Sequence, residues 1–152
     1  MKKKYKIIIS WLLVIIWMFV IYYFSNMNGD ASSNASNGTV YFIINFIDNL
    51  FNLNIDVENV TEILNGPIRK LAHFTVYFIL SIFILIALSN HKIKLSKKII
   101  ITTLICFIYA CTDEIHQLMV ADRSGKLLDV LIDTSGCLLN MIIYYFRKRK
   151  IS

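Results

Sequence analysis

Apolar and polar positions along the chain fall in blocks, not in an even mixture. Ile7–Phe24 is a run of 18 residues without a charge, preceded by Lys2, Lys3, Lys4 and Lys6. Ile68–Ser89, Ile99–Val120 and Leu127–Phe146 are apolar runs of similar length with charges confined to one half of each, and about 17–25 apolar residues suffice for a helix to cross a bilayer. The first run is longer than the roughly 7–15 apolar residues of a cleaved signal peptide, and no Ala-x-Ala site directly follows it. It is therefore expected to stay as the first of four spanning helices.

Between the first two runs the pattern changes. Ser25–Gly38, SNMNGDASSNASNG, is small and polar and reads as loop. Val40–Leu53 is apolar but has only 14 residues, with Asn45, Asp48, Asn49 and Asn52 at helical spacing along one stripe. Such a segment is expected to lie as an amphipathic helix on the outer surface. Asp56–Leu64 reads as a short helix capped by Asp56, with Gly66-Pro67 ending it and opening the next. The expected fold is all-α and polytopic. A single domain, 1–152, holds spans at about 7–24, 68–89, 99–120 and 127–146, with an extracytoplasmic loop at 25–67.

Composition supports a membrane protein: hydrophobic residues make up 57% of the chain and mean hydropathy is +0.60. The net charge of +6 is gathered in patches. Twelve of the sixteen Lys and Arg lie before the first span, in the 90–98 loop, or after Phe146, and none of the ten acids does. Four spans put those three segments on one side, which the positive-inside rule makes cytoplasmic. The 25–67 loop, with no Lys or Arg, then faces outward. Cys106, Cys111 and Cys137 form no Cys-x-x-Cys pair, which argues against a disulfide framework or a zinc site.

The polar exceptions carry the chemistry. An ionisable group at the bilayer centre costs roughly 2.5–3.5 kcal/mol on insertion scales, so such residues pair, hydrate or function. At a rise of about 1.5 Å per residue, His73 lies roughly 7.5 Å below the outer surface, Asp113 roughly 9 Å and Asp133 roughly 9 Å. Three spans thus place ionisable groups in one outer layer. Lys70, His73 and Tyr77 share a face, as do Asp113, His116 and Gln117, with Glu114 and Gln117 on the next. Asp129, Asp133, Gly136 and Asn140 line one side of the fourth span, where Gly136 permits close approach of a neighbour. This inventory suits acid/base or phosphoryl chemistry on an amphiphile. It does not suit a Ser-His-Asp hydrolase, because no nucleophile elbow is present. His73 with Asp113, Glu114 and Asp133 is also a possible metal set, but no motif of fixed ligand spacing occurs and no metal or other cofactor is assigned.

Three stretches resemble the VanZ-like family, first associated with teicoplanin resistance in bacteria. Phe24-Ser25-Asn26-Met27-Asn28-Gly29 stands where the family has a Phe-Ser-Ser-Gln-like segment, with Asn26-Met27 in place of Ser-Gln. Arg69 to Tyr77, RKLAHFTVY, is similar to the family's basic-x-x-His-x-x-x-Tyr. Asp113-Glu114-Ile115-His116-Gln117 through Arg123 to Asp129, Asp133 and Gly136 is similar to its Asp-Glu-x-x-Gln, Arg, Asp pattern. The resemblance implies a bacterial inner-membrane protein with His73, Tyr77, Asp113, Glu114, Gln117, Arg123, Asp129 and Asp133 as key residues.

The leading expectation is a polar site at the outer leaflet that binds or acts on a cell-envelope amphiphile, a lipid-linked phosphate or a lipoglycopeptide. The resemblance adds a contribution to teicoplanin resistance. In an enzymic version, His73 or Glu114 is the general acid/base and Asp113 or Asp133 orients the histidine. Arg69 and Arg123 hold the anionic head group, and Lys70, Tyr77, Gln117 and Asp129 complete the binding set. The alternatives are binding or exclusion without turnover, and a structural subunit of an envelope complex. Membrane lipid or a lipid-linked precursor is the expected partner, and nucleic acid is not.

Overall fold

The computed structural model describes residues 2–123 and 125–151, and no strand is present among them. Five helices follow in order: α1 Lys2–Ser25, α2 Gly29–Phe51, α3 Val57–Ser89, α4 Leu95–Gln117 and α5 Leu127–Ile151. Four of them, α1, α3, α4 and α5, are long and apolar enough to span a membrane, as expected. The molecule is a polytopic helical membrane protein.

The central element is α3, which touches each of the other four helices. Tyr77, Leu80, Ser81, Ile84, Leu85 and Leu88 recur every three or four residues and are all buried, so one stripe of α3 forms the heart of the bundle. Cys106 and Ala110 of α4, Cys137 and Met141 of α5, and Val14 and Ile21 of α1 close around it. Outward-facing apolar side chains such as Ile8, Leu12, Phe19, Ile108 and Leu131 are left exposed, which suits lipid as the solvent.

The antiparallel order of the spans gives the bundle two unlike ends. At one end Trp11 Nε1 donates to His91 Nε2 at 3.3 Å and Asn90 Nδ2 donates to Ser10 Oγ at 3.0 Å, tying the start of α1 to the end of α3. The basic segments gather here. At the other end the close of α1 meets the close of α4: the Tyr109 hydroxyl donates to the Met18 carbonyl at 2.6 Å, and His116 stacks on Tyr22 with ring centroids 4.8 Å apart.

Two expectations for the segment between the first spans are corrected. Ser25–Gly38 is not a loop throughout, because α2 begins at Gly29. The Asn28 side chain accepts from Ala31 N at 2.8 Å and Asp30 sits in the first turn, so the poor helix formers that follow have a capped start. Gly29 also docks on the turn after α4, its N–H donating to the Ala121 carbonyl at 3.2 Å where any Cβ would strike Asp122 backbone. Nor does Gly66-Pro67 break the chain: α3 runs through it from the Asp56 cap. At 33 residues α3 is roughly 50 Å long, beyond the ~30 Å of a bilayer core. Its first turns pack along α2, where Asn65 Nδ2 donates to Asn37 Oδ1 at 2.5 Å. That packing outweighs the one hydrogen bond Pro67 cannot make. The segment between the first two spans is therefore a helical hairpin: the helix expected over Val40–Leu53 is the second half of α2, and the one capped by Asp56 is the start of α3.

Candidate functional site

The site lies at the bundle end away from the basic segments. The helices bring it together through a close backbone approach between α3 and α5. Gly136 is buried against the Phe74 carbonyl, and a Cβ there would collide with that carbonyl. The residue before Phe74 is His73, and one turn before Gly136 is Asp133, so the contact sets those two side chains against each other. His73 Nδ1 lies 3.4 Å from Asp133 Oδ1. Asp133 is fully buried, and neither of its oxygens has a hydrogen-bond partner among the described residues, so the His73 approach lacks hydrogen-bond alignment.

From α4, Asp113 and Glu114 join them. One donor atom from each of His73, Asp113, Glu114 and Asp133 lies within 4.8 Å of all the others. Asp113 and Glu114 are 4% and 5% exposed. Gln117, one turn on, donates through Nε2 to Asp113 Oδ2 at 3.2 Å and to Glu114 Oε1 at 3.3 Å. Its Oε1 accepts from Arg123 Nη1 at 3.2 Å, which fixes the amide's orientation. Glu114 Oε2 accepts from Lys126 N at 2.8 Å. These bonds hold the α4 carboxylates in place but leave the group short of positive charge. Two like unit charges 4.8 Å apart repel by about 3.5 kcal/mol at an effective dielectric of about 20.

Arg123 is tied on three sides. Besides Gln117, its Nε donates to the Met27 carbonyl at 2.9 Å and its Nη2 to the Phe24 carbonyl at 3.2 Å, so it fastens the end of α1 to the site. Burial, and next the positive charge of Arg69, lower its pKa from the ordinary arginine value. An arginine stays charged regardless. Arg69 and Arg123 line one and the same cavity.

A cavity of about 350 Å³ opens beside this group. Ile21, Phe24, Ile68 and Val76 give it apolar walls, and Arg69, Arg123, His73 and Asp113 give it a polar end. One wall was not foreseen. Ser32, Ala35, Ser36 and Thr39 of α2 all line the cavity, at i, i+3, i+4 and i+7. That spacing of small residues was the available signal, and the loop reading concealed it. Ser25 also lines the cavity, and its buried hydroxyl has no partner among the described residues.

The other expected residues divide. Arg69 faces the cavity without an ion pair among the described residues, whereas Lys70 is exposed and does not line it. Tyr77 is wholly buried in the bundle core, its hydroxyl unpartnered among the described residues, but it does not line the cavity. Asp129 sits in the first turn of α5, outside the group of four. His116 belongs to the seam with α1, its Nε2 3.3 Å from Asn26 Oδ1.

A four-span helical bundle with three carboxylates and a histidine gathered at one end defines the class: a multi-pass membrane protein with a buried polar centre. The family model described as VanZ/LLP1 matches residues 10–148, and the chain belongs to that family. No curated protein and no solved structure matches it.

Proposed function

We propose that the protein binds the anionic head group of a cell-envelope amphiphile, a lipid-linked phosphate, and carries out acid/base or phosphoryl chemistry on it. The observation that carries this reading is the cavity: apolar walls of acyl-chain character lead to Arg69 and Arg123, with His73 and Asp113 in the same lining. Arginine suits phosphate because its planar fork offers several charge-assisted donors. Arg123 has three of its donors engaged within the protein and Arg69 has none engaged among the described residues. Arg69 is therefore the head-group cation, and Arg123 supplies field and position. His73 or Glu114 is the general acid/base, and Asp133 or Asp113 orients the histidine.

The segregation of basic residues at the opposite end favours an extracytoplasmic site in a bacterial inner membrane, with both termini cytoplasmic. In that setting a contribution to teicoplanin resistance follows if the amphiphile is a cell-wall precursor or the lipoglycopeptide itself. Binding without turnover is the second reading. The exposed Phe42, Phe46, Leu50 and Phe51 of α2 support it, as an apolar face for a lipid-tailed antibiotic.

The test uses the full chain in lipid nanodiscs with a fluorescent polyprenyl phosphate. Saturable binding that Arg69→Ala weakens about tenfold is expected, that being roughly 1.4 kcal/mol of charge-assisted contact. Equal binding of the uncharged polyprenol, unaffected by Arg69→Ala, defeats the head-group reading. Product formation lost in both His73→Gln and Glu114→Gln supports catalysis. Retained binding with no product in the wild type leaves the second reading, which a teicoplanin susceptibility assay at equal membrane abundance then checks.

A further inference from the structure

We propose that His73, Asp113, Glu114 and Asp133 form a binding site for one divalent first-row transition ion. The proposal does not depend on the lipid reading, since the ion would bind with or without an amphiphile in the cavity.

Geometry is the first argument. Donors about 2.0–2.6 Å from a common ion stand at most roughly 4–5.2 Å apart. The four donor atoms here all lie within 4.8 Å of one another, although they come from three helices. Side chains gathered only to lock helices would pair off, carboxylate to cation; here His73 meets Asp133 at 3.4 Å, but Asp113 and Glu114 stand in the same group with no cation of their own among the described residues. These converge on a point.

Charge is the second. Three buried carboxylates meet one histidine, and no Lys or Arg forms an ion pair with any of them among the described residues. Burying carboxylates in this way without compensation is strongly unfavourable. A divalent cation is the compact counter-charge that fits the space, as Arg69 and Arg123 lie to one side in the cavity lining.

The third argument is independent of the clustering. Asp133 is 0% exposed, and both its oxygens lack hydrogen-bond partners among the described residues. Buried polar atoms are nearly always satisfied, and a bound ion is one recognised reason for an exception. The orphaned carboxylate is turned toward the other three donors. Glu114 and Asp113, by contrast, are steadied by Lys126 N and the Gln117 amide, the outer support that ligating carboxylates commonly have.

The donor set selects the ion's class. Three carboxylates favour Mn²⁺, and an imidazole extends the range to Fe²⁺ and Zn²⁺. With no thiolate among the four, soft ions are disfavoured. An ion here would lie beside the polar end of the cavity, because His73 and Asp113 belong to both. It would serve as a Lewis acid for a phosphoryl oxygen, and His73 and Glu114 would then act as ligands in place of the general acid/base.

The test is made on the full chain in mild detergent, stripped with EDTA and titrated with Mn²⁺ by electron paramagnetic resonance, without added lipid. One Mn²⁺ per chain is expected, with a modulation from one imidazole nitrogen that disappears in His73→Gln. Asp133→Asn and His73→Gln should each weaken binding at least about tenfold. Lys92→Ala, exposed and at the other end of the bundle, should bind as the wild type does. If Asp133→Asn loses the native helical circular dichroism, Glu114→Gln replaces it with the same expected weakening. The proposal is overturned by a folded wild type that binds no Mn²⁺ saturably. Undiminished affinity in His73→Gln and the carboxylate variant overturns it too, as does an imidazole signal that survives in His73→Gln.

Discussion

The four-residue cluster and the cavity meet at His73 and Asp113, yet they are built in opposite ways. The cluster stands on α3, α4 and α5, where Gly136 lets two backbones touch and a chain from Arg123 through Gln117 fixes two of the carboxylates. The cavity is walled by the end of α1 and by the small residues Ser32, Ala35, Ser36 and Thr39 of α2. One region is set by close packing and directed hydrogen bonds, the other by the absence of bulk. Reactive groups need fixed positions, whereas a lipid-sized ligand needs room. On the proposed function, α3, α4 and α5 would hold the reactive groups while α1 and α2 leave room for the ligand.

The strongest way to break the comparison is to attack the packed side. Gly136→Val drives a branched side chain into the Phe74 carbonyl, with no flexible atom to give way. A loss of about 3 kcal/mol is expected, at the upper end of ordinary overpacking. It is read as a lower melting temperature in detergent, together with loss of both lipid and Mn²⁺ binding. A variant as stable as the wild type would mean that α3 and α5 do not depend on that contact.

Arg123→Lys comes next. It keeps the charge but cannot reach the Phe24 carbonyl, the Met27 carbonyl and Gln117 together. Hydrogen bonds to a charged group are each worth roughly 1.5–3 kcal/mol, and Lys retains part, so a net cost of about 2 kcal/mol is expected in unfolding. If charge alone mattered, stability would be unchanged.

Ser36→Leu probes the open side. Leucine is the better helix former, so α2 should persist, while its side chain fills part of the 350 Å³ cavity. Polyprenyl phosphate binding should fall about tenfold, roughly 1.4 kcal/mol, with Mn²⁺ affinity and melting temperature unmoved. A parallel fall in Mn²⁺ binding would show that the two regions are not separable.

How far the sequence revealed these two regions follows from their construction. The four spans were legible because lipid demands unbroken apolar runs. That His73, Asp113 and Asp133 share one level along the bundle was legible because helical rise is constant. Their convergence within 4.8 Å was not, because it depends on helix rotation, which the Phe74–Gly136 contact sets. The α2 wall was hidden by its own composition. Ser, Asn and Gly are weak helix formers, and here the Asn28 cap and packing against the start of α3 override propensity. Pro67 misled for a related reason: it forfeits one bond in a helix held by many others.

The smallest expected effect is the sharpest control. Arg69 and Lys70 are adjacent, both basic, and indistinguishable by depth, yet only Arg69 lines the cavity. Lys70→Ala should change neither stability, by more than about 0.5 kcal/mol, nor phosphate-lipid affinity. Arg69→Ala should leave stability equally untouched while lowering that affinity about tenfold. Measuring both variants at two salt concentrations separates a directed contact from general attraction. A cation that merely draws anionic lipid to the surface acts through a screened field, so its loss matters less as salt rises. A guanidinium seated against a head group inside a cavity keeps most of its effect. If Lys70→Ala weakens binding as much as Arg69→Ala does, and both effects fade together in salt, the cavity is a basic surface and not a shaped site.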